Sequence, residues 1–179
     1  NSRGSYTHRP KPVARCGFQD EGALRSQDLR SLAGKILRID PGTGLGYPSN
    51  PFFDGDPASF ASRIWALGLR NPFRMDLIPG TGASDPALGQ PNVITIGDVG
   101  WNKWEEINLS RQGGENFGWP CFEGPLPHTG YQNFMPADPS EYSCANETIG
   151  TLTPPVIAWH HTTPSLFYPT CSYIDASGN

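Results

Sequence analysis

No stretch of this 179-residue chain approaches the roughly 20 consecutive apolar residues that cross a bilayer, so no membrane span is expected. Basic charge is scarce as well. Thirteen Lys and Arg stand against 17 Asp and Glu, a formal net charge of -4, which leaves no basic surface for nucleic acid. Neutral or cationic partners, and recognition by hydrogen bonds alone, stay open. There is no Cys-x-x-Cys pair. A zinc site usually takes two ligands from one tight turn, and Cys16, Cys121, Cys144 and Cys171 stand far apart. An even count at wide spacing leads us to expect two disulfides and an oxidising compartment, with buried free thiols as the alternative. Cys121 and Cys144 flank a loop and are expected to bridge it. Cys16 with Cys171 is then the default second pair, unless partners lie outside the segment. Neither an initiator Met nor a signal peptide precedes Asn1, so an upstream segment is expected to be removed or absent.

What the chain does have is Gly (21) and Pro (19), together well above the ordinary share of about 12%. Five Trp, nine Phe and six Tyr supply material for a core, although hydrophobic residues make up only 36%. The balance points to short strands joined by long, turn-rich loops. Residues 1–23 read as an irregular, basic N-terminal loop, and Ser26 to Leu32 as one polar helical turn. Strands are predicted around Lys35–Ile39, Ile64–Leu69, Phe73–Ile78, Asn92–Val99 and Trp104–Leu109, with further strands at Phe117–Trp119, Pro155–Trp159 and Tyr173–Asp175. Ala58 to Arg63 reads as a short helix. Two N-x-S/T triplets occur; Asn108 falls in a predicted strand, so Asn146 is the candidate for N-glycosylation.

Strands at short intervals with no long helix between them define an all-β, antiparallel, meander-like chain, a propeller or a sandwich. A blade takes about 40 residues and a ring needs at least four. The strands present make about three blades of four-stranded antiparallel sheet. Three cannot close, so residues 1–179 are expected to be a single segment of a longer ring, or to associate with the missing part.

Four segments, in order, carry a resemblance: Gly34-Lys35-Ile36-Leu37-Arg38-Ile39-Asp40-Pro41; Ile64-Trp65-Ala66-Leu67-Gly68-Leu69-Arg70-Asn71-Pro72-Phe73-Arg74; Gly97-Asp98-Val99-Gly100-Trp101-Asn102-Lys103-Trp104-Glu105-Glu106-Ile107-Asn108; and Asn116-Phe117-Gly118-Trp119-Pro120-Cys121-Phe122-Glu123-Gly124. Together they resemble the glucose/sorbosone dehydrogenase family, which includes soluble quinoprotein sugar dehydrogenases and Hedgehog-interacting-protein-like propellers. The resemblance runs from about Leu24 to Glu123 and more faintly beyond. It implies part of a six-bladed β-propeller.

For chemistry, the resemblance implies that Arg70 and Asn71 face pyrroloquinoline quinone on the propeller axis. A guanidinium fork suits the three carboxylates of that cofactor. The alternative is that Arg70 pairs with a nearby carboxylate and Asn71 caps a turn. Gly100 and Trp101 match a loop whose carbonyls hold a calcium ion beside the quinone. Two departures weigh against catalysis: Val99 stands where sugar-oxidising members have a polar contact, and Trp101 replaces a proline. Glu106 and Phe117 match positions that hold a separate structural calcium in some bacterial relatives; the alternative for Glu106 is a buried hydrogen bond to backbone N–H groups. Glu105 and Glu106 face opposite ways on a strand and cannot act as one pair. His160 and His161 cannot chelate one ion for the same reason. Trp65, Trp101, Trp104 and Trp119 read as packing residues, with a Trp at a propeller mouth able to stack on a sugar ring.

The family's general base lies upstream of these motifs and further basic cofactor contacts lie downstream, so no catalytic residue is assigned. The functional expectation is oxidation of an aldose hydroxyl with pyrroloquinoline quinone and calcium. The rival is a non-catalytic extracellular propeller that binds a protein or glycan, or belongs to a cell-surface assembly. Either is expected outside the cytosol: extracellular, at the cell surface or periplasmic.

Overall fold

In the computed structural model, residues 21–133, 142–163 and 167–169 are described. The described elements begin with a 3-10 helix at Glu21–Ser26, followed by strand β1 at Lys35–Leu37 and a single-turn helix α1 at Phe60–Arg63. The chain runs from α1 directly into β2 (Ile64–Leu67) and then β3 (Pro72–Leu77). β4 spans Ile94–Asp98 and β5 spans Trp104–Ser110. Two short strands follow, β6 (Phe122–Glu123) and β7 (Leu126–Pro127), then a single-turn helix α2 (Thr129–Gln132). β8 (Ile157–His160) and β9 (Phe167–Pro169) complete the order.

Local chemistry accounts for these elements. Ser59 caps α1 by accepting from the Ser62 N–H, and β-branched Ile64 starts the extended run that follows. β4 and β5 alternate buried and half-buried residues, the period-2 pattern of strands with one face on a core. Antiparallel pairing joins β3, β4, β5, β8 and β9, in that order, into one five-stranded sheet. β1 pairs with β2 and β6 with β7 as separate two-stranded sheets.

The core lies in two clusters. Ile36, Trp65, Ala66, Leu69, Ile94, Ile96 and Phe117 form the first. Burial of a side chain such as Ile96, fully enclosed here, contributes about 1.5–3 kcal/mol. The Trp65 indole N–H donates to Ser110 Oγ at 2.9 Å, so the largest buried ring is also satisfied. Leu24, Trp119, Cys121, Phe122, Tyr131 and Cys144 form the second cluster, stapled by the Cys121–Cys144 disulfide. β3 stands at the edge of the sheet, with Phe73, Met75 and Leu77 between 52% and 69% exposed.

The all-β antiparallel expectation holds, with several differences. The described residues form one sheet of five strands and two pairs rather than three four-stranded sheets. The helical turn expected at Ser26–Leu32 lies earlier, at Glu21–Ser26, and takes in the end of the expected 1–23 loop. Phe117–Trp119 is not a strand. Gly118 adopts φ +96°, which breaks an extended run, and the segment is tied to β2 by a parallel bridge between Leu67 and Asn116. Cys16, Cys171 and the strand expected at Tyr173–Asp175 lie outside the described residues.

Candidate functional site

Arg70 and Asn71 sit between β2 and β3, where the chain passes from one sheet to the next. The end of β4 holds them there. Asp98 accepts from the Arg70 N–H at 2.9 Å through Oδ2 and from the Asn71 N–H at 2.6 Å through Oδ1. The Val99 N–H in turn donates to the Asn71 carbonyl at 3.1 Å. Burial pushes the Asp98 carboxyl up to about 6, against the pull of those two N–H donors. The Arg70 guanidinium reaches on to the next turn. Its Nη1 donates to the Val99 carbonyl at 3.1 Å and the Gly100 carbonyl at 2.8 Å, and the group lies 5.6 Å from the centre of a Trp119 ring.

That turn is built as tightly as it is because a carboxylate sits inside it. Glu123 Oε1 accepts from four successive N–H groups: Trp101 (2.7 Å), Asn102 (2.9 Å), Lys103 (3.0 Å) and Trp104 (3.3 Å). These donors bring the Glu123 carboxyl below its ordinary range although burial alone would raise it. Gly100 is obligatory, since a Cβ there would lie 1.5 Å from the Trp104 carbonyl oxygen. Trp101 projects from the turn and stacks on the His128 imidazole, with centroids 5.3 Å apart and planes 15° from parallel.

These groups enclose a cavity of about 450 Å³ whose wall includes Arg25, Arg70, Asn71, Trp101, Trp119 and Tyr131. Two arginines and an asparagine share it with three aromatic residues, and no Asp or Glu is among its described lining residues. In a chain of net charge -4, that local excess of positive charge is a built feature.

The other candidates lie elsewhere. Glu106 is buried on β5; its Oε1 accepts from the Gly124 N–H at 2.5 Å and its Oε2 from Asn108 Nδ2 at 3.1 Å. Burial raises its carboxyl to about 7, helped by the nearby Asp98 and Glu123 charges. Phe117 packs in the first core cluster, its N–H donating to the Leu67 carbonyl. Glu105 faces the other way from Glu106 and meets His161 Nε2 at 2.8 Å, while His160 packs edge-on against Trp104. Asn108 is fully buried, and Asn146 ends a 3-10 turn, Cys144–Asn146, beside the disulfide.

Among the described residues, no group of three or more His, Cys, Asp or Glu side chains is arranged to hold a metal ion. At Gly100 a cation does not fit, because the carbonyl oxygen that would ligate it already faces a guanidinium. Around Glu106 the chemistry suits calcium better. Glu123 Oε2 and Asn108 Oδ1 are buried oxygens with no hydrogen-bond partner among the described residues, and calcium takes such hard ligands. Asp98 and Glu123 hold the site together, yet sequence reasoning does not single them out, although both stand in the quoted motifs. Arg25 has no local signal at all; only the fold brings it to Arg70.

The chain belongs to the glucose/sorbosone dehydrogenase family, whose model matches residues 16–164. It is 31% identical over 150 residues to the HIPL2 protein of Arabidopsis thaliana, covering 76% of this chain and 19% of that protein. Identity to the HIPL1 protein of the same plant is 30% over 171 residues, 86% of this chain and 20% of the relative. The aldose sugar dehydrogenase YliI of Escherichia coli (strain K12) is 30% identical over 107 residues, covering 60% of this chain and 25% of that enzyme. A solved Thermus thermophilus protein, described as an oxidoreductase (glucose dehydrogenase), aligns with a TM-score of 0.51 at 25% identity, over 79% of this chain and 32% of that one. The chain thus spans a quarter or less of the curated relatives it matches.

Proposed function

We propose that this chain forms the cofactor-facing part of a sugar dehydrogenase-like propeller, one that oxidises an aldose hydroxyl with pyrroloquinoline quinone and calcium. The observation that carries the reading is the cavity lined by Arg25, Arg70 and Asn71, with no Asp or Glu among its described lining residues. When bound, pyrroloquinoline quinone supplies the two-electron acceptor that oxidation of an aldose hydroxyl needs. Arg70 and Arg25 offer charged N–H donors for its carboxylates, and Asn71 offers an amide that both donates and accepts. Trp101, Trp119 and Tyr131 exclude water from the flat ring system, which strengthens each of those hydrogen bonds. Glu106, with Glu123 and Asn108, would hold calcium as a structural ion. No step is assigned to a cation at Gly100.

One observation favours a second reading, a non-catalytic extracellular propeller that binds a protein or glycan. The Gly100 carbonyl faces Arg70, which removes the calcium position beside the quinone. Similarity to the two HIPL proteins is compatible with this reading, and the Cys121–Cys144 disulfide supports an extracellular, cell-surface or periplasmic setting for either. Among the described residues no helix is long and apolar enough to cross a membrane.

Dye reduction by the full-length protein, loaded with pyrroloquinoline quinone and calcium and offered a panel of aldoses, separates the two. Turnover with any aldose supports the dehydrogenase. Tight cofactor binding without turnover, or no binding, leaves the non-catalytic propeller.

A further inference from the structure

Trp101 combines properties that packing alone does not explain. It is 41% exposed, among the large apolar side chains that the fold leaves open, yet it is fixed in place from several directions. Its backbone N–H is held by Glu123 Oε1 at 2.7 Å. One face of the indole lies nearly parallel to His128, which is not among the residues lining the cavity. Its edge meets Trp119 with centroids 6.0 Å apart and planes at 87°, and Tyr131 stands 6.3 Å away. The imidazole covers one face of the ring, while Trp101 as a whole lines the cavity and stays 41% exposed. Burial keeps the His128 ring below its ordinary pKa, so the stack behind Trp101 is between two neutral rings near neutral pH.

An open aromatic face that is held rigid costs little conformational entropy when a ligand stacks on it. Arg70 lies against Trp119 through its guanidinium, its bonds to the Val99 and Gly100 carbonyls are bonds to neutral groups, and among the described residues it makes no ion pair.

We infer that Trp101 is the specificity-determining residue of this cavity, stacking on the face of a flat aromatic anion and thereby selecting it over non-planar anions of similar charge. The inference rests on the cofactor reading above for its principal ligand, but it is broader, since any flat aromatic carboxylate should respond to the same face.

The test uses the full-length protein and three probes: pyrroloquinoline quinone, naphthalene-2,6-dicarboxylate and citrate, with affinities measured by isothermal titration. Trp101→Ala is expected to weaken the two flat anions about tenfold or more, the usual worth of an aromatic stacking partner, and to leave citrate unchanged. Trp101→Phe should recover most of the loss. Equal loss for citrate and the flat anions would mean that the substitution damages the cavity as a whole, and no loss for any probe would mean that Trp101 does not touch the ligand; either overturns the inference. If the wild-type protein binds the naphthalene dicarboxylate through Trp101 but not the quinone, the cofactor reading fails and the stacking role stands. If it binds neither flat anion, both fail.

Discussion

Arg70 Nη1 lies 2.8 Å from the carbonyl oxygen of Gly100, so the cation that faces the cavity is anchored by neutral groups rather than by an acid. The carboxylate of Asp98 is spent on the backbone N–H groups of Arg70 and Asn71. An anchor of this kind fixes direction without cancelling charge. It also leaves donors over for an anion while the guanidinium closes the turn at Val99–Gly100, since a guanidinium carries five N–H donors and Nη1 holds only two of them.

Asp98→Ala is expected to destabilise the fold by about 2 kcal/mol, because two part-buried N–H groups lose a charged acceptor together. The loss should be read by urea denaturation. It should be accompanied by weaker anion binding, since the Arg70-Asn71 dipeptide is no longer held. Unchanged stability would show that the two N–H groups find other partners.

The strand pattern is legible in the sequence because it is local. The apolar run Val93-Ile94-Thr95-Ile96, closed by Gly97-Asp98, is visible without knowing any partner strand, and β4 lies within it; the buried face of β5 carries Glu106, Asn108 and Ser110, so there composition gives the strand but not its inward side. Phe117–Trp119 misleads because its aromatic residues look like a strand, whereas the positive φ of Gly118 is a backbone property that composition does not display. In the site, Arg70, Asn71 and Trp101 are legible through motif resemblance, and they do line one cavity. Glu123 escapes a sequence reading because its role needs the Trp101–Trp104 turn folded around it, 19 to 22 residues away in sequence. Arg25 is invisible for the same reason: long-range closure brings it to the wall.

Calcium is expected to raise the melting temperature of the wild-type protein in the absence of any quinone, by the equivalent of about 2.7 kcal/mol when the ion is at roughly a hundredfold excess over its dissociation constant. Glu106→Gln should abolish that gain, because it removes the central ligand charge. A calcium-dependent rise that survives in Glu106→Gln would move the ion away from β5.

Reduction of the Cys121–Cys144 bridge releases a loop of sequence separation 23, which is worth about 3 kcal/mol in chain entropy. Paired Cys121→Ser and Cys144→Ser substitutions should reproduce the loss. Because this bridge belongs to the cluster of Trp119 and Tyr131, the cavity should weaken with it. Thermal denaturation with and without reductant measures the effect, and coincident curves would contradict it.

Lys35 is buried with its ammonium donating to the carbonyls of Arg25, Ser26 and Ala33, and burial lowers its pKa from 10.5 to about 8. Between those two values the unfolded chain holds the proton more tightly than the folded one. Stability from this group therefore rises as pH increases from about 8 to 10.5. The unfolding free energy of the wild type minus that of Lys35→Met should climb over that interval. A flat difference would show that the three carbonyls keep Lys35 charged and that burial costs it little.

The most direct test of the account is the affinity of the full-length protein for pyrroloquinoline quinone, measured by titration for wild type and Arg70→Gln. The account predicts binding by the wild type and a loss of about tenfold or more in the variant, the worth of a hydrogen bond to a charged group. Failure of the folded wild-type protein to bind, or equal binding by the two, would contradict the assignment of this cavity to an anionic quinone.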